Sequence, residues 1–146
     1  MPAFSLIALI RALLVWVLIM AAESAQGAVR RILTSEAFDF AVRQASVLLG
    51  VAVIFAITWL TMPWMRIRTT VGALLVGDLW VVLTVAFEVG LGRALGQSWD
   101  RILADYNLLE GGLMPLGLLA MALTPWAVLR LQAGRGRDFD GRGTAP

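Results

Sequence analysis

The chain contains no cysteine and no histidine. Without cysteine there is no disulfide, no thiolate metal site and no sulfur nucleophile. Without histidine the usual haem and transition-metal ligand is missing, and so is the commonest general base. Lysine is missing as well: all 12 basic residues are arginine, which we read as composition bias rather than chemistry. Only 15% of the residues are charged, and the net charge of +2 is too small to argue for a nucleic-acid partner. Any site must be assembled from Arg, Asp, Glu, Asn, Tyr, Trp and hydroxyls. No metal and no cofactor is expected.

What the chain has in excess is apolar surface. Sixty per cent of its 146 residues are hydrophobic, and the mean hydropathy is +0.82. A water-soluble domain of this size cannot hide that much, so lipid must be the solvent for much of it. Four apolar runs, about 4–22, 45–65, 71–92 and 113–131, each approach the roughly 20 residues that a helix needs to cross a bilayer. The fold expected is all-α: four transmembrane helices in a left-handed bundle, one domain over 1–131. The tail, 132–146, is rich in Gly and Arg and reads as a disordered basic cytoplasmic segment. The first run could instead be a signal peptide, with Ala25-Gln26-Gly27 supplying small residues after it. Its start is apolar rather than basic and it is long enough to span, so a retained helix is the better reading.

The connections carry their own signals. Thr34 or Ser35, followed by Glu36 and Asp39, marks a helix start that runs on into the second span. Arg66-Ile67-Arg68-Thr69-Thr70 is a tight basic turn. In the third connection Trp99, Ile102, Leu103, Tyr106 and Leu109 recur at helical spacing, with Ser98 as N-cap and Gly111-Gly112 as the stop. That pattern predicts a short interfacial helix with Trp99 and Tyr106 at headgroup depth; a solvated helix packed on the bundle fits it equally. Arg66, Arg68, Arg130, Arg135, Arg137 and Arg142 fall on one side of the membrane. Arg30, Arg31, Arg43, Arg93 and Arg101 fall on the other. The first group has the short, purely basic turn and the amino terminus, so both termini are expected in the cytoplasm.

The two halves look alike. Glu23 pairs with Glu88 at an offset of 65 residues, Arg31-Ile32-Leu33 with Arg101-Ile102-Leu103 at 70, and Pro63-Trp64 with Pro125-Trp126 at 62. A tandem hairpin repeat, 4–65 and 71–131, is one reading; coincidence in a composition-poor sequence is the other. Pro63 and Pro125 each free a backbone carbonyl one turn earlier, and Thr58, Thr61 and Thr124 are placed to soften that loss.

The polar groups inside the apolar runs have to be explained. An acid near the middle of a membrane helix costs about 2.5–3.5 kcal/mol on insertion scales. Arg11 and Asp78 each lie seven residues into their spans, roughly 10 Å deep at 1.5 Å per residue. An intramembrane Arg11–Asp78 ion pair is therefore expected, the alternative being an Arg11 that snorkels to the headgroups. At the opposite level Glu23 and Glu88 lie near Arg30, Arg31, Arg43, Arg93, Arg101, Asp105, Tyr106 and Asn107, together a polar cap over the outer end. Glu88 shares a helical face with Gly77 and Thr84 and is expected to be buried in the bundle. The cap is either a set of mutually neutralising charges or a ligand pocket floored by Glu23 and Glu88.

Asp105-Tyr106-Asn107 and Gly111-Gly112-Leu113-Met114-Pro115-Leu116-Gly117, with Ala22-Glu23-Ser24 and Phe87-Glu88, resemble small bacterial inner-membrane proteins of four spans. The resemblance covers most of 12–131. It implies a fold and a location, and no activity. The chain does not look like the small multidrug exporters, whose essential acid sits where this chain has Arg11. Nor does it carry the Arg/Asn/Glu signature of the glutathione-dependent four-helix membrane enzymes. The function expected is a non-catalytic scaffold or accessory subunit that binds a lipid, a small ligand or a partner protein at the cap. Its partners are the bilayer and a larger membrane complex or a homo-oligomer. The alternatives are a proton-coupled small-solute transporter using Glu88, Glu23 and the Arg11–Asp78 pair, and a membrane enzyme with carboxylate acid/base chemistry from Glu23, Glu88 or Asp105.

Overall fold

The computed structural model describes residues 5–33 and 39–140, without the side chains of 30, 31, 33, 39–41, 43 and 136–140. The described residues are all-α, with no strand. Among the described residues five α-helices follow one another: α1 (Leu6–Leu33), α2 (Asp39–Met65), α3 (Thr70–Ala94), α4 (Trp99–Ala104) and α5 (Met114–Asp140), with a 3-10 turn at Leu108–Glu110. Four of them, over Leu6–Val29, Gln44–Met65, Thr70–Ala94 and Met114–Arg135, are long and apolar enough to cross a membrane. Large apolar side chains stand exposed along all four, among them Leu14, Leu18, Leu48, Leu60, Val82 and Leu119. In water such a surface would aggregate; in hydrocarbon it is solvated.

Helix α3 packs most extensively on α5, α5 on α2 and α2 on α1, while α1 and α3 make a thinner contact. Between them lies a core of Val15, Ile19, Ile54, Met62, Met65, Val76, Trp80, Met121 and Val128. The closest approach is between α3 and α5. A Cβ at Gly77 would run into the backbone carbonyl of Ala122, so the missing side chain is what lets the two backbones touch. Lipid supplies no hydrophobic drive between helices, and close backbone packing of this kind takes its place.

Three helices extend differently from the apolar runs. α1 does not stop at Ala22 but continues to Leu33, so that Ala25-Gln26-Gly27 lies inside it. Gln26 donates to the Ser46 carbonyl at 2.8 Å and holds this extension against α2. α2 begins at Asp39, ahead of its apolar run as expected, while Thr34, Ser35 and Glu36 lie outside the described residues. α5 continues to Asp140 instead of ending at 131. Its extra turns are tied to α2: Gln132 donates to the Trp59 carbonyl at 2.9 Å, and the Arg135 guanidinium lies 5.5 Å from the Trp59 ring centre.

The Trp59 carbonyl is the one that Pro63 frees, since proline lacks the N–H that would meet it four residues on. The threonines expected to compensate do something else. Thr58, Thr61 and Thr124 donate to their own i−4 carbonyls, at Ile54, Ile57 and Ala120, which already have N–H partners in a regular helix. The gap is filled from another helix. The α2–α3 turn closes through Arg66, a non-glycine residue at φ 58°, and Thr69 then caps α3 by accepting from the Gly72 amide at 3.0 Å.

Candidate functional site

Two polar levels were expected, an intramembrane ion pair and an outer cap, and the structure arranges them differently. Trp80 on α3 donates its indole N–H to the Ala12 carbonyl on α1 at 2.9 Å. One turn further out Trp16 on α1 donates to Thr84 Oγ on α3 at 3.0 Å. The Thr84 hydroxyl in turn faces the Met121 sulfur at 3.3 Å, and Trp16 meets Phe87 edge to face at 6.4 Å. Sequence reading missed this reciprocal pair. Its signal was there: tryptophan favours the membrane interface, so an indole deep in a span calls for an acceptor on a neighbouring helix.

Arg11 and Asp78 flank the Trp80–Ala12 bond, one residue and two residues from its ends. They do not pair. Arg11 donates to the Trp64 carbonyl at 2.8 Å and lies 5.2 Å from the Trp64 ring centre. That carbonyl belongs to the last turn of α2, where no intrahelical donor remains, so a cation is well placed there. Asp78 stands exposed. Two residues from Trp80 put it about 160° around the helix from the buried face. The ion pair is thus replaced by a helix cap and an outward-facing acid.

At the other end of the helices the residues expected to form the cap fall into two groups. In the first, on the α1–α2 seam, the half-buried Glu23 carboxylate rests against Gly50, whose Cβ, if present, would lie 2.8 Å from Glu23 Oε2. Glu23 Oε1 and Gln26 Oε1 are both buried, and neither meets a hydrogen-bond donor among the described residues. They sit three residues apart on one helix, hence on one face. Both are acceptors, so neither can satisfy the other as they stand.

The second group joins α3 to the connection that follows it. Ser98 caps α4 by accepting from the Arg101 amide, Ile102 is the buried residue of that helix, and Asn107 caps the 3-10 turn by accepting from the Leu109 amide. Gly111 closes that turn at φ 85°. Together these bring Tyr106 in with its hydroxyl buried and unbonded. Burial first, and then the negative charges of Glu88 and Asp105, raise the Tyr106 pKa above 10.0.

Glu88 itself is exposed, not buried in the bundle. The packed face of α3 that holds Gly77, Trp80 and Thr84 is no longer covered one turn beyond Thr84, where Phe87 is exposed as well. Arg93 donates to the Gln97 carbonyl at 2.8 Å and lies over Trp99 at 5.1 Å. Arg101 and Asp105 form an exposed pair at 3.9 Å. The side chains of Arg30, Arg31 and Arg43 lie outside the described residues. The cap is therefore an acceptor-rich seam at Glu23 and Gln26 together with a tyrosine–carboxylate corner at Tyr106, Glu88 and Asp105. Among the described residues no cluster of three or more Asp or Glu side chains is placed to hold a metal ion.

No family model matches the chain, and neither a curated protein nor a solved structure shows similarity to it.

Proposed function

We propose that the protein is a small non-catalytic integral membrane protein, a scaffold or accessory subunit, that binds a lipid, small ligand or partner protein through its outer polar cap. The reading places it in a bacterial inner membrane with both termini in the cytoplasm. The four long helices form a left-handed bundle, and α4 lies in the outer interface. Exposed Trp99 and Leu103 on α4 and a fully open Leu109 beyond it support the interfacial placement. The two tryptophan bonds join residues 68 apart in each case, within the 62–70 offsets of the sequence match, which supports a tandem hairpin.

The observation that carries the binding role is the pair of buried acceptors, Glu23 Oε1 and Gln26 Oε1. A buried acceptor without a donor costs about 1–3 kcal/mol, and more when charged. A headgroup, ligand or partner side chain that brings N–H or O–H donors would remove that cost. Gly50 keeps the opposite wall of the seam at backbone thickness. The transporter alternative has less to draw on, because Arg11 and Asp78 do not form within one chain the relay station it needs.

The test is purification in mild detergent, with mass spectrometry of bound lipids and co-purifying proteins. The wild type should retain a defined companion that Glu23→Gln, Gln26→Leu or both variants lose. If the variants keep whatever the wild type keeps, the cap is structural and the reading fails. Proton-dependent flux in liposomes, abolished by Glu88→Gln, would establish the transporter instead.

A further inference from the structure

Asp78 stands exposed on α3 and Arg11 half-buried on α1, on either side of the Trp80–Ala12 bond. Asp78 has no hydrogen-bond or ion-pair partner among the described residues. Above and below it on α3 lie exposed Leu74, Leu75 and Val82, an apolar stripe facing lipid with one carboxylate in it. A carboxylate there is expensive to leave in hydrocarbon and is almost always found against a partner or a cavity. Arg11 lies seven residues from the exposed Leu18, which puts the two about 20° apart on α1. Among the described residues one of its guanidinium nitrogens is bonded, Nη1 to the Trp64 carbonyl. The other N–H groups of the fork remain for a carboxylate.

We propose that the protein forms a twofold dimer about an axis along the membrane normal, in which Asp78 of each copy binds Arg11 of the other. The Trp80–Ala12 bond holds the backbones of residues 11 and 78 near one level within a copy, and the long Arg11 side chain spans the remaining height. A rotation about the membrane normal leaves depth unchanged, so the match carries over to the second copy. The contact is isologous and forms the pair twice. Each Arg11 then bridges the end of its own α2 and the α3 of its neighbour. The dimer rests on α1 and α3 near the cytoplasmic level and does not involve the outer cap, so it stands or falls separately from the binding role.

The natural absence of cysteine makes the test clean. Leu14→Cys and Val82→Cys, each one turn outward of its charged neighbour, are placed in differently tagged copies and co-expressed. Mild oxidation in native membranes should link the two tags. In phosphatidylethanolamine/phosphatidylglycerol vesicles, Asp78→Asn should weaken dimerisation by about tenfold or more. It should leave tryptophan emission and thermal unfolding of the single chain unchanged, because Asp78 bonds no other group among the described residues of its own chain. The exchanged variant, Arg11→Asp with Asp78→Arg, should recover dimerisation in part. A monomeric wild type would overturn the proposal. So would a 14–82 link that persists in Asp78→Asn, or a wild type whose Asp78 face is held by a different protein.

Discussion

Helix α3 is held on one side by α5 and on the other by α1, and the two seams share almost no physics. Against α5 the contact is backbone on backbone at Gly77 and Ala122. Against α1 the backbones touch little, and two indole N–H bonds, Trp80 to Ala12 and Trp16 to Thr84, cross the gap. In lipid both solutions work, because neither relies on expelling water. They differ in what they tolerate. A close-packed seam has no slack for added volume, whereas a bonded seam has slack for volume and little for loss of a donor.

The largest effect should come from Gly77→Leu, which drives a branched side chain into the Ala122 backbone. We expect a loss of at least about 3 kcal/mol in detergent unfolding, with Gly77→Ala costing about 1–3 kcal/mol. If Gly77→Ala is neutral, the seam is not close-packed and the contrast collapses. Next is Trp80→Phe, which removes the buried bond to α1 but keeps an aromatic ring. Interhelical bonds in membranes average about 0.6 kcal/mol and reach about 1.7, so a loss of roughly 1–2 kcal/mol is expected once the smaller ring is included. Trp16→Phe and Thr84→Val remove the second peg. Each alone should cost about 0.6 kcal/mol, and the double variant should cost little more than one of them. Full additivity would show that the Trp16–Thr84 bond contributes nothing.

Gln132→Leu tests whether donors across a gap matter at the α2–α5 seam too. It leaves the Trp59 carbonyl without its donor and should cost about 1 kcal/mol. The smallest effect concerns Tyr106, the only tyrosine, so that phenolate absorbance reports it alone. Its pKa is raised above 10.0 by burial and by Glu88 and Asp105. The folded state then holds the proton more tightly than the unfolded one. Its contribution to stability is fully present below pH 10 and is lost as pH rises through the folded value. Wild type should lose stability in melts above that pH and Tyr106→Phe should not. Equal losses would place Tyr106 in open solvent.

The spans could be read from hydropathy because lipid imposes one rule on the whole chain, at least 17 or so apolar residues in a row. Helix ends could not be. α1 and α5 run past their apolar stretches because Gln26 and Gln132 find carbonyls on α2, and a glutamine in a sequence does not name its acceptor. That Arg11 and Asp78 lie near the same α1–α3 crossing was legible, since it follows from the rise per residue. The direction of each side chain was not, because it depends on helix rotation, which Trp80 and Gly77 set. Glu88 was misplaced for the same reason: a helical face extends only as far as something covers it. The Glu23–Gln26 seam was half legible, as Glu23 could be flagged by its charge while Gln26 and Gly50 carried no signal of their own.

The carbonyl that Pro63 frees is met by a side chain 73 residues later in the chain. Synthesis runs from the amino terminus, so α2 enters the bilayer while Gln132 has yet to be made. For that interval the Trp59 carbonyl waits in hydrocarbon, and the last third of α2 is a helix with a missing rung. Arrival of α5 completes it. The proline thus makes an early helix depend on the last one, and a chain that stalls before residue 132 keeps an exposed mark of its own incompleteness within the membrane.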